Sequence, residues 1–120
     1  MSVLPAELAA TLVARRRARA ALDRERAHVA RRALGEAAVA LRAEGACTAA
    51  WLIGSLAWGG FGERSDADVV LAGADDGQPG ALAARLSGCA DVTIDLSFLE
   101  QLPDSFRRRV LAEGVRLDEP

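Results

Sequence analysis

IGSLAWGGFGERSDADVVLAG, residues 53–73, decides how this chain is read. The apolar run from Ala49 enters it and predicts a short buried strand ending at Gly54; Ala67 to Ala72 predicts a second strand. Alternate residues of a strand share a face, so Asp66 and Asp68 point the same way. Their Cα atoms would lie roughly 7 Å apart, and two ionised carboxylates there would repel by about 2 kcal/mol at an effective dielectric of about 20. A bound cation removes that cost. Between the strands, Gly54 and Ser55 turn into a short helix and offer backbone N–H groups and a hydroxyl to an anion such as phosphate. Gly59, Gly60 and Gly62 let the following loop lie close to a ligand.

Upstream, Ala6 to Glu44 is dense in Ala, Leu, Arg and Glu without an internal proline, which predicts one long helix or two broken near Gly35. Leu8, Leu12, Leu22, Val29, Leu34, Ala38 and Leu41 approximate one apolar stripe interrupted by arginines, so the ends of the helix should pack better than its centre. Gly45 suits the position just past the helix, where positive φ is common. Downstream, residues 73–80 carry turn chemistry, with Asp75 and Asp76 as turn acids, and lead to a short helix from Ala81 to Leu86. Asp91 to Ser97 alternates: Val92, Ile94 and Leu96 on one face, Asp91, Thr93, Asp95 and Ser97 on the other. Pro103 to Glu113 predicts a last helix stopped at Gly114, and Val115 to Leu117 a short edge strand. The order is that of an α/β (α+β) fold, a small mixed sheet with helices packed on one face.

Composition narrows the function. The 120 residues are most simply one domain, 51% hydrophobic and poor in aromatics. No apolar run approaches the about 20 residues that span a bilayer, and the N-terminus lacks the order of a signal peptide, so the chain is expected to be cytoplasmic with no membrane partner. Cys47 and Cys89 have no neighbouring Cys or His pattern and read as two buried, reduced thiols rather than a zinc site. There is no lysine and no tyrosine. Walker-A, Schiff-base and lysyl-AMP chemistry are excluded. The single histidine, His28, is far in sequence from any nucleophile, which disfavours a Ser-His or Cys-His hydrolase. Arg15 to Arg32 holds eight arginines against Asp23 and Glu25, a local +6 in a chain of net charge −2. Such a helix is either a solvated face or a surface for RNA or an acidic partner.

Gly54-Ser55, ten intervening residues, Asp66-x-Asp68 and the later strand aspartate Asp95 together resemble the minimal nucleotidyltransferases of the DNA polymerase β superfamily, including their antitoxin-like members. The likeness extends through Ser65, the apolar Val69 to Leu71 and the ending IDLSFLEQLPDSFRRRVLAEGVRL, and so covers about Cys47 to Leu117. It departs at Leu56, where many members carry an arginine directly after Gly-Ser. The resemblance implies a single nucleotidyltransferase domain over residues 1–120, with residues 1–45 a helical extension and 46–120 the catalytic core.

It also implies a site. Asp66, Asp68 and Asp95 would be the catalytic carboxylates and would ligate Mg²⁺ or Mn²⁺, hard cations that favour oxygen donors. Asp91 is the rival third carboxylate. Gly54, Ser55, Arg64 and Ser65 would bind ATP or another nucleoside triphosphate. Trp51 reads as core and Trp58 as pocket rim. The implied reaction moves a nucleoside monophosphate, AMP above others, to a hydroxyl of a protein or RNA acceptor and releases pyrophosphate. Relatives of this kind are often antitoxin partners of HEPN-type toxins, which makes such a toxin the expected partner, with homo- or hetero-oligomerisation through the N-terminal helix. The alternative is a non-catalytic nucleotide-binding module that works by masking its partner.

Overall fold

The computed structural model describes residues 5–75 and 77–119; Asp76, expected as a turn acid, lies outside them. The elements run α1 (Ala6–Ala43), β1 (Ala49–Ile53), α2 (Gly54–Trp58), β2 (Ala67–Ala72), α3 (Pro79–Ala90), β3 (Ile94–Phe98), a 3-10 turn (Leu99–Gln101), α4 (Asp104–Glu113) and β4 (Val115–Arg116). The sheet order is β3-β2-β1-β4. Strand β2 runs parallel to β3, and β1 is antiparallel to both β2 and β4. The fold is the mixed α/β architecture expected from the sequence.

Its layers follow from strand parity. Ala50 and Leu52 of β1 and Val69 and Leu71 of β2 face one side, where they meet Leu34, Ala38 and Leu41 of α1, Leu56 of α2 and Leu86 of α3. Trp51, Ile53 and Val70 face the other side and meet Val110 of α4. All five residues of β1 are buried, because it is an interior strand with a neighbour on each edge and side chains against both faces. Helices α1 to α3 thus share one face, and α4 covers part of the opposite one.

Helix α1 is the single long helix of the two expected alternatives, and it departs from expectation in its packing. It runs through Gly35 without a break, since the burial of Leu34, Ala37, Ala38 and Leu41 around it outweighs the about 1 kcal/mol that a helical glycine costs. Only its C-terminal part packs: the buried residues begin at Ala30, while Leu8, Leu22 and Val29 are exposed. Its 38 residues span roughly 57 Å at the α-helical rise. The molecule measures 60 × 29 × 25 Å, so the sheet is too small to cover such a helix. Even so, no helix of the described residues is long and apolar enough to cross a membrane.

Three local boundaries also differ. Helix α3 extends from Pro79 to Ala90, because proline is tolerated in the first turn, where no N–H partner is needed. Asp91 is not on a strand; it caps α3 in a left-handed conformation with φ of 52°. Its N–H donates to the carbonyl of Ser87 at 2.9 Å. Strand β3 therefore starts only at Ile94. Both thiols are free, but Cys47 is buried whereas Cys89 is exposed on α3, and burial pushes the Cys47 thiol up from its ordinary pKa.

A tie that the sequence did not announce closes the chain. The Leu117 N–H donates to the carbonyl of Ala50 at 2.9 Å. Asp118, 2% exposed, then accepts from the Ala50 N–H at 2.8 Å, from Arg42 at 3.0 Å and from Arg116 at 2.5 and 3.1 Å.

Candidate active site

Asp68 sits opposite Ile53 on one side and opposite Asp95 on the other, so two carboxylates stand on adjacent parallel strands at the same level of the sheet. They share the face that carries Val70 and α4. Asp68 is half-buried and Asp95 exposed. Burial first, then the neighbouring charge of Asp95, a hydrogen bond between the two carboxyls and the charge of Asp66, raise the Asp68 pKa above the ordinary carboxylate range. This is the pattern of negative charge brought together without a compensating cation.

The main chain makes room for it. Gly54 has φ of +72°, and a Cβ there would collide with Asp68 Oδ2. Glycine is required on both counts: an L side chain is strained at that φ, and the carboxylate occupies the space. Helix α2 is a single turn of five residues that begins at Gly54, beside Asp68, and continues with Ser55. A cavity of about 290 Å³ opens beside Asp68 and Asp95, walled by Gly54, Trp58, Ser97, Phe106 and Arg109. Trp58, 47% exposed, is held at the rim: its indole N–H donates to the Glu113 carbonyl at 3.0 Å, and the Arg109 guanidinium lies 5.3 Å above its ring. Arg109 also pairs with Glu113 at 2.9 Å. Trp51 is core, under the Arg116 guanidinium.

The remaining expected site residues are less convergent. Asp66 is exposed just before β2, near enough to act on Asp68 by its charge, yet among the described residues no three His, Cys, Asp or Glu side chains form a group tight enough to hold a metal ion. Asp91, on the far end of α3, does not join the pair. Ser65 accepts from the Gly62 N–H at 3.0 Å, so its hydroxyl closes the glycine loop. Arg64 is exposed in that loop and lines neither the cavity beside the carboxylates nor the one beside Ser55. Asp75 is a turn acid as expected, accepting from the Gly77 N–H at 2.9 Å. Sequence reasoning missed Arg109 and Phe106: their spacing on α4 marks an amphipathic helix, and nothing local says which face meets the carboxylates.

Solved structures share this fold. One, assigned as a minimal nucleotidyltransferase, superposes with a TM-score of 0.61 at 30% identity, over 70% of this chain and 89% of its own. The chain belongs to the minimal nucleotidyltransferases. A toxin–antitoxin structure with AMP-PNP shares the fold at a TM-score of 0.58 and 23% identity, covering 69% of this chain and 71% of the other. So does the tri-AMPylated Shewanella oneidensis HEPN toxin in complex with its MNT antitoxin, at 0.52 and 20%, covering 72% and 71%. No protein-family model matches the chain, and no curated protein is significantly similar to it. Within this fold, the Gly54 turn and the paired carboxylates of β2 and β3 lie on one cavity.

Proposed function

We propose that this minimal nucleotidyltransferase moves AMP from ATP to a hydroxyl of a protein partner, a HEPN-type toxin, as the antitoxin of the pair. The observation that carries the reading is the Asp68–Asp95 pair, in register on neighbouring strands and set against the bare backbone of Gly54. The donor set fits a divalent cation: two carboxylates within hydrogen-bonding reach of each other, one of them resisting ionisation, supply hard oxygen ligands with charge to neutralise. Asp66, Asp68 and Asp95 would hold Mg²⁺ or Mn²⁺. When bound, the ion supplies Lewis acidity, stabilising charge on phosphate oxygens and making the acceptor hydroxyl more acidic.

The chain's own residues do the rest. Gly54 and Ser55 bind the phosphates at the turn after β1. The acceptor oxygen forms a bond to the α-phosphorus while the bridging P–O bond to the β-phosphate breaks, and that electron pair leaves with pyrophosphate. Asp95, the more exposed of the pair, takes the hydroxyl proton. Trp58 and Phe106 form an apolar rim beside the carboxylates. The acceptor hydroxyl belongs to another molecule in this reading, and with no tyrosine in the chain self-modification on tyrosine is ruled out.

The test is transfer of label from α-³²P-ATP, with Mg²⁺ or Mn²⁺, into the protein and RNA of a host extract. Wild type should label an acceptor and Asp66→Asn/Asp68→Asn should not. Label transferred equally by both proteins would sink the reading. A second reading, a nucleotide-binding module that masks its partner, draws on the position of Asp66, which leaves the described carboxylates short of a three-member group. Metal-dependent ATP binding without transfer would favour it.

A further inference from the structure

A second cavity, about 530 Å³, lies on the other side of the Gly54-Ser55 turn, between α1 and the glycine loop. Arg24, His28 and Arg31 line it from α1, facing Ser55, Gly59 and Gly60. The spacing of four and three residues puts the three basic side chains on one helix face. Arg31 is anchored: its Nε–H donates to the carbonyl of Leu56 at 2.7 Å, one residue past Ser55. That bond uses one of five guanidinium donors. Among the described residues, the side chains of Arg24 and His28 have no hydrogen-bond or ion-pair partner. The one acidic lining residue, Asp23, is drawn to Arg26 at 4.0 Å, outside the cavity.

The cavity is therefore a wall of donors facing a hydroxyl and bare backbone, and it adjoins the carboxylate site through a single peptide: Gly54 touches Asp68, and Ser55 lines the α1 side. The chain has no lysine and carries Leu56 directly after Gly-Ser, and Arg109, on the carboxylate side of the turn, is paired with Glu113. We propose that Arg24, His28 and Arg31 bind the distal phosphates of the nucleoside triphosphate, so that α1 supplies the cationic half of the substrate site and pyrophosphate leaves through this cavity. The inference rests on the nucleotidyl-transfer reading. It assigns the β- and γ-phosphates to the α1 side of Ser55 and the α-phosphate to the carboxylate side. The long helix is then a part of the active site as well as a surface.

Calorimetric titration of the full chain with ATP and with AMP, each with Mg²⁺, tests it. Arg24→Gln/His28→Gln should weaken ATP at least about tenfold and change AMP by less than about twofold, because charge-assisted contacts to the distal phosphates are lost and AMP has none. Arg16→Gln/Arg19→Gln removes two charges from the same helix outside this cavity and should leave ATP within about twofold, which separates a local site from the general field of the helix. If wild type binds ATP and the Arg24/His28 variant binds it as tightly, this proposal fails while the transfer reading stands. Equal losses for ATP and AMP, or equal losses in both variants, also overturn it. Loss of single-stranded RNA binding with ATP affinity unchanged would assign the face to RNA instead. If wild type binds no triphosphate, both readings fall together.

Discussion

Asp68 and Asp118 lie toward opposite ends of β1, one across from Ile53 and the other bonded to Ala50, and their surroundings are opposites. Asp118 is buried and Asp68 half-buried. Burial pushes Asp118 up, but hydrogen bonds from Arg116 and the Ala50 N–H overcome it and hold its pKa below the usual range. For Asp68, burial and the carboxylates beside it act in the same direction and hold it above. The protein neutralises the aspartate that fastens its C-terminal strand and leaves unneutralised the one that faces a cavity. A buried charge that the fold satisfies by itself is architecture; one left for a ligand is a candidate for chemistry.

The largest effect that sharpens this contrast is on transfer. Asp95→Asn should lower label transfer at least about a hundredfold, as loss of a proton acceptor does, whereas Asp91→Asn should change it by less than about twofold, since Asp91 caps α3 away from the pair. Comparable losses in both would mean that the register of β2 and β3 does not define the site. Next comes the architectural aspartate. Asp118→Ala removes the acceptor for Arg42, Arg116 and the Ala50 N–H and should cost about 2–3 kcal/mol in urea unfolding. Because its folded-state pKa is depressed, its contribution is present above the unfolded value of about 3.9 and is lost as pH falls through the folded value. The gap between wild type and variant should thus close in acid.

Gly54→Ala should be smaller in stability, about 1–2 kcal/mol for a β-carbon at positive φ, but it also displaces the Asp68 carboxylate, so transfer should fall with it. A variant as active and stable as wild type would show that Asp68 does not need the glycine's open space. The smallest effect has the opposite sign to that of Asp118. Asp68 has a raised folded-state pKa, so its ionised form costs stability at neutral pH, and the cost disappears as pH falls through that value. Without divalent cation, Asp68→Asn should melt a few degrees higher than wild type near pH 7 and no higher in acid. An unchanged or lower melting temperature near pH 7 would show that Asp68 is satisfied without a cation.

Much of this site was legible before the structure, because its signals are local. Strands β1 and β2 keep their expected limits: a continuous apolar run ending in glycine leaves little choice, and Asp-x-Asp marks the entry to the second. The third strand was read too long because Asp91 to Thr93 continues the alternation across what is a left-handed helix cap and its exit. Helix α3 was read too short because Pro79 and Gly80 carry the composition of a turn. What could not be read were pairings across long stretches of chain. Asp118 meets Arg42 from 76 positions away, and Arg31 meets Leu56 from 25. His28 is far in sequence from any Ser or Cys nucleophile, yet folding places it in the cavity that Ser55 lines. Which face of α1 or α4 turns toward the carboxylate-bearing strands is decided by packing, so neither the basic wall of α1 nor Arg109 could be drawn from motif spacing.

The central question is whether Asp68 and Asp95 hold a cation. Electron paramagnetic resonance titration of Mn²⁺ into wild type, Asp68→Asn and Asp118→Asn, each with ATP present, asks this directly, because protein-bound Mn²⁺ loses its free-ion signal. Binding by wild type and Asp118→Asn alike, with at least about a tenfold loss in Asp68→Asn beyond what ATP alone binds, is the predicted result. Undiminished Mn²⁺ binding by Asp68→Asn would contradict the account and leave the raised Asp68 carboxyl without a functional partner.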